Sequence, residues 1–348
     1  MRAFNINNTD KSIADEAQHK IDFLNKPIGS LGRLESLAKQ LCIIQHTLEP
    51  KLSCPSHIVF GADHGVSDEH VSVSPKDVTW QMMINFTHGG AAVNMFCRQH
   101  GFKLHIVDMG VDHDLSEFKD IVNRKIANGT KNFLYEDAMS AEEFDKAVDA
   151  GAEMVDRCHD DGCNIICFGE MGISNTSPSS LWMSLMGNID IDKCVGVGAG
   201  LNSEGRNNKL NVLTRSIERF KNKYPSYGTE DIMRSLGGFE MVAATGAMLR
   251  AAELGMIVMV DGFIMSACML AASRIYPSVL DYAVFGHCGD ESGHKQMLSL
   301  MNAEPLLNLG FRLGEGTGAL CAYPLIDSAV RMINEMGNFD NANISKYF

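Results

Sequence analysis

Several things are scarce or missing in this chain of 348 residues, and each absence narrows what it can be. Basic residues are in short supply: Lys and Arg number 30 against 43 Asp and Glu, for a net charge of −13. No basic stripe exists to follow a phosphate backbone, which excludes a nucleic-acid partner. The N-terminal stretch MRAFNINNTDKSIADEAQHK has no apolar stretch of the signal-peptide kind. Low-complexity sequence is absent, and with 45% hydrophobic residues the chain can bury the core of a large globular domain. The most apolar segment, LGMIVMVDGFIMSACMLAAS (254–273), approaches the roughly 20 residues that span a bilayer. Asp261-Gly262 interrupts it, so it reads as a buried strand, a turn and a buried helix, with no membrane partner. Ten cysteines include no CxxC pair, which points to reduced thiols in a cytoplasm. Cys158, His159, Cys163 and Cys167 form the densest group, but Cys167 lies inside the apolar run NIICFG, and a free cysteine packs like a small hydrophobe. They read as core, not as metal ligands, and no metal is expected. Also missing are a GxSxG elbow, HExxH, a Walker loop and the acidic, Thr-Gly loop that binds diphosphorylated ribose with Mg²⁺.

What is present is a repeated design. Six apolar runs end in glycine and polar residues: HIVFGADHG (57–65), KLHIVDMG (103–110), NIICFGEMG (164–172), CVGVGAG (194–200), MIVMVDG (256–262) and YAVFGHCG (282–289). Segments of helical spacing lie between them, at 76–99, 141–157, 204–222 and 238–253. Continuous apolar runs alternating with helices predict an α/β fold, a Rossmann-like, mostly parallel sheet covered by helices on both faces. Ligands bind such sheets beyond the carboxyl ends of the strands. Asp63, His64, Asp108, Glu170, Asp261 and His287 follow the runs and are therefore expected to converge. The chain ends differ: 10–24, 31–48 and 317–336 read as amphipathic helices without strands. They predict a small helical subdomain from residues 1–52 and 315–348, packed on an α/β core of 53–314.

Three glycine-rich turns are candidates for binding. GEGTGA (314–319) approaches a dinucleotide fingerprint, but the preceding PLLNLGFRL makes a poor buried strand and no βαβ unit follows. GVGAGL (196–201) lacks an acidic partner for a ribose. Each reads equally well as a tight turn or as an anion cradle at a helix start. GEMGISNTS (169–177) is more specific, since Ser174, Asn175 and Thr176 follow a strand with small donors suited to phosphate or ribose. Lys209 is a candidate counter-charge, although a lone helical lysine more often faces solvent. Carboxylates, glycines and amides together suit acid–base chemistry without metal or covalent catalysis.

Taken in order, KPIGSLGRLE (26–35), GADHGV (61–66), SPKDVTWQMMINFTHGGAAVN (74–94), GEMGISNTS, LGGFEMVAATGAMLRAAE (236–253), DGF (261–263), GHCGDESGH (286–294) and LGEGTGA (313–319) resemble the nicotinate-nucleotide–dimethylbenzimidazole phosphoribosyltransferase family over nearly the whole chain. The resemblance implies transfer of phosphoribose from nicotinate mononucleotide to an aromatic base, in assembly of the lower ligand of cobalamin. It implies Glu315 as general base and Glu170 as a supporting carboxylate. Ser74, Gln81, Gly172, Ser174, Asn175, Thr176, Gly198, Lys209, Asp261 and Leu313 would bind substrate, with no cofactor. A homodimer is implied as well. On this reading the glycines around Glu315 give clearance for a flat aromatic base.

The chemistry is consistent with these residues. Nicotinate leaves from a cationic pyridinium as a neutral ring nitrogen and needs no acid, so one base for the incoming ring N–H is enough. Direct displacement predicts inversion at the anomeric carbon. Two departures stand out: Ser174 replaces a usual glycine, and GHCGDESGH differs from the commoner serine-containing form. Trp80, beside Gln81, is a further candidate for shaping the base pocket. A nucleotide hydrolase and a non-catalytic nucleotide sensor stay open as alternatives. The preferred base, whether benzimidazole, purine or phenol, is not legible.

Overall fold

The structure, a computed structural model, describes residues 1–342 other than Val197 and Ala199. Its centre is a six-stranded sheet of β1 (Ser56–Ala62), β2 (Lys103–Gly110), β3 (Ile121–Asn123), β4 (Ile165–Met171), β5 (Ile257–Val260) and β6 (Ala283–Phe285). The strands lie in the order β3-β2-β1-β4-β5-β6, and every neighbouring pair is parallel. All seven residues of β1 and the first six of β4 are buried, as expected of strands covered on both faces. The order reverses between β1 and β4, and a crevice opens at such a switch point beyond the strand ends. Glu170 stands there, in register with Phe60 of β1.

Every connection between strands other than β2 to β3 contains a helix. The helix Ala141–Asp160 begins with a reciprocal cap, in which Ser140 Oγ accepts from the Glu143 N–H at 3.2 Å and Glu143 Oε2 accepts from the Ser140 N–H at 2.7 Å. The apolar segment at 254–273 forms β5, breaks at Asp261-Gly262, and continues as the buried helix Phe263–Ile275. Among the described residues, no helix is long and apolar enough to cross a membrane. Cys158, Cys163 and Cys167 are buried in the core, while His159 is exposed.

Two expectations need correction. CVGVGAG is not a strand: Cys194 ends the short helix Ile191–Cys194, and its described residues continue as loop and turn, with Val197 and Ala199 outside the described residues. A run alternating with glycine has too few side chains to pack on a sheet. The sixth strand is β3, whose three residues are too short to show a pattern. Residues 76–99 are also not one helix but two, Val78–Thr87 and Ala92–His100, separated at a left-handed Gly89 (φ 73°).

At the chain ends, the helices Ala14–Asp22 and Arg33–Gln45 lie with Thr317–Glu335, and Leu24 bridges to Asn338 in antiparallel fashion. A buried ion pair, Lys26 Nζ to Glu35 Oε1 at 2.9 Å, pins the start of the second helix. Leu37, Leu41, Ile326 and Ile333 are fully or nearly fully buried and belong to the same apolar cluster as the sheet.

One polar hub ties the helices Ser203–Lys223 and Thr229–Leu236 to the loop before Ala141–Asp160. Asp137 accepts hydrogen bonds from Arg219, Lys223, Tyr224, Arg234 and Ser235 at 2.5–3.2 Å. Burial alone would raise its pKa, but these donors together hold it well below the usual carboxylate range. Its stabilising contribution is therefore complete above the ordinary aspartate pKa and is lost as pH falls through the lower folded value. Asp137→Ala is expected to cost roughly 2–4 kcal/mol, read as a lowered urea midpoint with an unchanged slope.

Candidate active site

The residues that end the strands on one side of the switch point share one cavity of about 290 Å³. β4 delivers Glu170 and the turn Gly172–Asn175, β5 delivers Asp261, and β6 leads to His287. Glu315 enters from the loop before the helix Thr317–Glu335.

This loop has three consecutive left-handed residues: Gly314 (φ 90°), Glu315 (φ 60°) and Gly316 (φ 81°). The conformation is strained for any side chain but glycine. Close packing adds a second constraint. A Cβ on residue 314 would collide with Glu170 Oε1, and one on residue 316 would collide with the His57 ring. The glycines are thus required by the protein's own backbone and by two buried side chains, not as clearance for a ligand, which corrects the expectation above. His57 Nε2–H donates to the Glu315 carbonyl at 2.9 Å, and burial drives this imidazole down to about 4, so it stays neutral. The Glu315 N–H reaches Glu170 Oε1 at 3.4 Å, and its carboxylate Oε2 accepts from the Val93 N–H, at the start of Ala92–His100, at 3.3 Å.

Four carboxylates crowd this region, and they differ in environment. Burial pushes Glu315 above the ordinary glutamate value, the Val93 N–H opposes this, and Asp261 adds to it. Among the described residues no cation pairs with Glu315. Glu170 is pushed well above its ordinary value by burial, against the Asn175 amide beside it and with the help of Glu240 and Asp261. Asp261 goes the other way: burial opposes ionisation, but the His287 imidazole at 3.4 Å and the Ala319 N–H at 2.8 Å outweigh it. Asp261 is thus held as an anion against the helix start, while Glu315 is shifted in the opposite direction.

Small polar side chains gather where a helix starts at the cavity wall. Ser174, Asn175 and Thr176 line it at the start of the helix Thr176–Gly187. Ser174 is left-handed (φ 82°), a backbone conformation that favours glycine, and its hydroxyl pairs with Ser67 Oγ at 3.1 Å. Lys209, 1% exposed, donates from Nζ to Thr176 Oγ1 at 2.7 Å. Burial lowers its pKa to about 8, with Glu291 opposing. Gly198 passes close by: a Cβ there would stand 3.6 Å from Thr176 Oγ1 and 3.8 Å from Lys209 Nζ. The lysine is therefore not on a solvated face.

Of the residues singled out from sequence, Glu170, Gly172, Ser174, Asn175, Thr176, Asp261, Leu313 and Glu315 stand on the cavity wall, with Lys209 and Gly198 just behind it. Ser74 and Gln81 do not; Gln81 is exposed, and Ser72, Val78 and Met82 of the same segment line the wall instead. Trp80 stacks on His113, with ring centroids 4.3 Å apart, and is not on the wall. Asp63 and Asp108 do not join the convergence: Asp63 Oδ2 accepts from the Asp112 N–H at 2.8 Å, and Asp108 lines a separate cavity beside Lys125. His64 lies buried beneath Gly172. Phe311, Arg312 and Glu291 also line the wall. The only signal for them was their position beside LGEGTGA and within GHCGDESGH. Among the described residues, no group of three or more His, Cys, Asp or Glu is arranged to hold a metal ion.

Comparison with known proteins agrees with this geometry. Residues 6–344 match the family model described as "Phosphoribosyltransferase". A nicotinate-nucleotide–dimethylbenzimidazole phosphoribosyltransferase from Bacteroides fragilis is 55% identical over 348 residues, covering 100% of both chains. The protein of that name from Dechloromonas aromatica is 44% identical over 345 residues, covering 99% of each. The crystal structure of CobT from Thermus thermophilus superposes with a TM-score of 0.93 at 34% identity, covering 96% of this chain and 99% of that one. With the motifs, sheet order and full-length identity in agreement, the chain belongs to the nicotinate-nucleotide–dimethylbenzimidazole phosphoribosyltransferase family.

Proposed function

We propose that the cavity transfers 5-phosphoribose from nicotinate mononucleotide to 5,6-dimethylbenzimidazole or a related aromatic base. The products are α-ribazole 5′-phosphate and nicotinate. The observation that supports this most is that one cavity is lined both by the buried Glu315 carboxylate, which pairs with no cation among the described residues, and by Thr176, which accepts from the buried Lys209. Such a layout spans a nucleotide, with its phosphate on the donors of the helix start and its ribose next to the carboxylates. The base nitrogen attacks C1′ from the face opposite nicotinate, and the C1′–N bond breaks with its electron pair returning to the pyridine ring. The proton on the second ring nitrogen of the base moves to Glu315. We read Asp261 as holding the helix start in place, and Gly172, Ser174, Asn175 and Gly198 as enclosing the phosphate.

We also infer a homodimer, a helical unit formed by the two chain ends, and a reducing, cytoplasmic setting. The last is supported by ten cysteines, all of them unpaired.

Incubation with nicotinate mononucleotide and dimethylbenzimidazole, followed by NMR of the product, is expected to give the α anomer. Nicotinate release without an acceptor would favour a hydrolase, and binding without turnover a sensor. Lys209→Met is expected to raise KM for the nucleotide roughly 10- to 100-fold and to spare kcat. Because the Lys209 amine is charged below about pH 8 and neutral above it, wild-type KM should rise through that pH and the variant's should not.

A further inference from the structure

One hydroxyl behind the cavity wall is tied to the loop that carries Ser174. Ser67 belongs to the short 3₁₀ helix Gly65–Glu69, and its Oγ lies 3.2 Å from the Ile173 carbonyl oxygen and 3.1 Å from Ser174 Oγ. Ile173 and Ser174 stand on the wall, and Ser67 does not. The 3₁₀ helix is fixed at both ends. The Gly65 N–H donates to Thr130 Oγ1 at 3.3 Å, and a Cβ on Gly65 would collide with the backbone of Thr130, Lys131 and Asn132. At the other end Asn208, the neighbour of Lys209 in the helix Ser203–Lys223, donates from Nδ2 to the Glu69 carbonyl at 2.8 Å. The segment carrying Ser67 is thus joined both to the Ser174 loop and to the helix of the buried lysine. A second grip on that loop comes from the buried Thr79, whose Oγ1 accepts from the Ile173 N–H at 3.1 Å.

We propose that Ser67 is a positioning residue for the phosphate: its hydroxyl donates to Ser174 Oγ, so that the Ser174 O–H is turned to a phosphate oxygen of the nucleotide. The reason lies in the number of hydrogens. Each serine hydroxyl has one hydrogen and two lone pairs, and it rotates to suit its surroundings. Ser67 is the only hydrogen-bond partner of Ser174 Oγ among the described residues. If Ser174 donates to Ser67 and Ser67 to the Ile173 carbonyl, both hydrogens are spent, and an anion meets only the lone pairs of Ser174. If Ser67 donates to Ser174, the Ser174 hydrogen is free for an anion. A bound anion favours the second arrangement, because it gains a charge-assisted hydrogen bond and the bond behind polarises the donating hydroxyl. The left-handed backbone of Ser174 (φ 82°) fits this account. Glycine would adopt it without strain, and the hydroxyl is what the strained position adds.

The role of Ser67 rests on the phosphate placement proposed above, so the test separates the two. Binding of nicotinate mononucleotide and of nicotinate riboside, which lacks the phosphate, is measured by calorimetry on the whole enzyme without an acceptor base. Ser67→Ala is expected to weaken the mononucleotide roughly 5- to 20-fold and to leave the riboside unchanged. Ser67→Thr, which keeps the hydroxyl, should restore the affinity. Ser174→Gly should weaken the mononucleotide by a similar factor while the urea midpoint holds or rises, since glycine relieves the backbone. In the Ser174→Gly background, Ser67→Ala should add about twofold or less, because the hydroxyl it orients is gone. During turnover the loss should appear in KM and not in kcat. Wild-type affinity in Ser67→Ala overturns the proposal. So does an equal loss for mononucleotide and riboside, or a full additional loss in the double variant, since each assigns Ser67 to loop structure alone. A wild-type enzyme that does not bind the mononucleotide overturns this role and the phosphate placement together. If binding behaves as expected but no phosphoribosyl transfer occurs, the reaction assignment fails and the role of Ser67 stands.

Discussion

Glu315→Gln is expected to lower kcat for base transfer by roughly 10²- to 10⁴-fold while leaving KM for the nucleotide nearly unchanged. The glutamine oxygen still accepts from the Val93 N–H, so the loop and the cavity should keep their shape. What is lost is the proton acceptor, and the other carboxylates of the wall are otherwise engaged: Asp261 with His287 and the Ala319 N–H, Glu170 with Asn175, and Glu291 with the charges of Lys209 and Arg312. The pH dependence follows from the same environment. Burial raises Glu315 above the ordinary glutamate value, so the wild-type rate should climb with pH through that raised value and not near 4.5. The variant should lose this limb. A Glu315→Gln enzyme that keeps full activity, or a wild-type acid limb at the ordinary glutamate value, would remove Glu315 from the chemistry.

The second large effect is expected from a change of one methyl group. Gly314→Ala places a Cβ in a left-handed backbone and against Glu170 Oε1 at once. The backbone strain alone costs about 1 kcal/mol, and with the collision the total should reach roughly 2–4 kcal/mol. The effect on catalysis should be larger in proportion. Relieving the clash moves Glu170 and the Glu315 backbone apart, and a displacement near 1 Å typically costs about 10²-fold in rate. Comparison of urea midpoints with kcat/KM separates the two effects. Gly310→Ala serves as a control: it is also left-handed (φ 69°), but a Cβ there meets nothing within 4 Å, so it should show the strain and keep the activity.

The GEG loop shows where reading from sequence is misleading. Glycine on either side of an acid suggests an open approach for a ligand, yet the space is filled by Glu170 and His57, from β4 and β1. Neither neighbour is near in the chain, so no local pattern could have named them. The same holds for Lys209. A lone lysine on an amphipathic helix reads as solvent-facing, and only the crossing of that helix behind Thr176 makes it a buried donor. The cavity wall shows the reverse error. Motif alone points to Ser74 and Gln81, but the twist of the segment turns Ser72, Val78 and Met82 inward. Strand β3 is hidden because three residues carry no periodicity, and CVGVGAG misleads because glycine-interrupted apolar residues imitate a strand.

Taken alone, the sequence determined the parallel α/β architecture, most of the strands, the break at Asp261-Gly262 and the family, because these depend on local periodicity and contiguous motifs. Only the tertiary structure decided which carboxylates share a cavity, which of them are paired, and why the glycines stand where they do. Protonation and strain depend on burial and on the closest non-bonded atoms, and in a parallel sheet those atoms come from crossovers that are many residues apart in the chain.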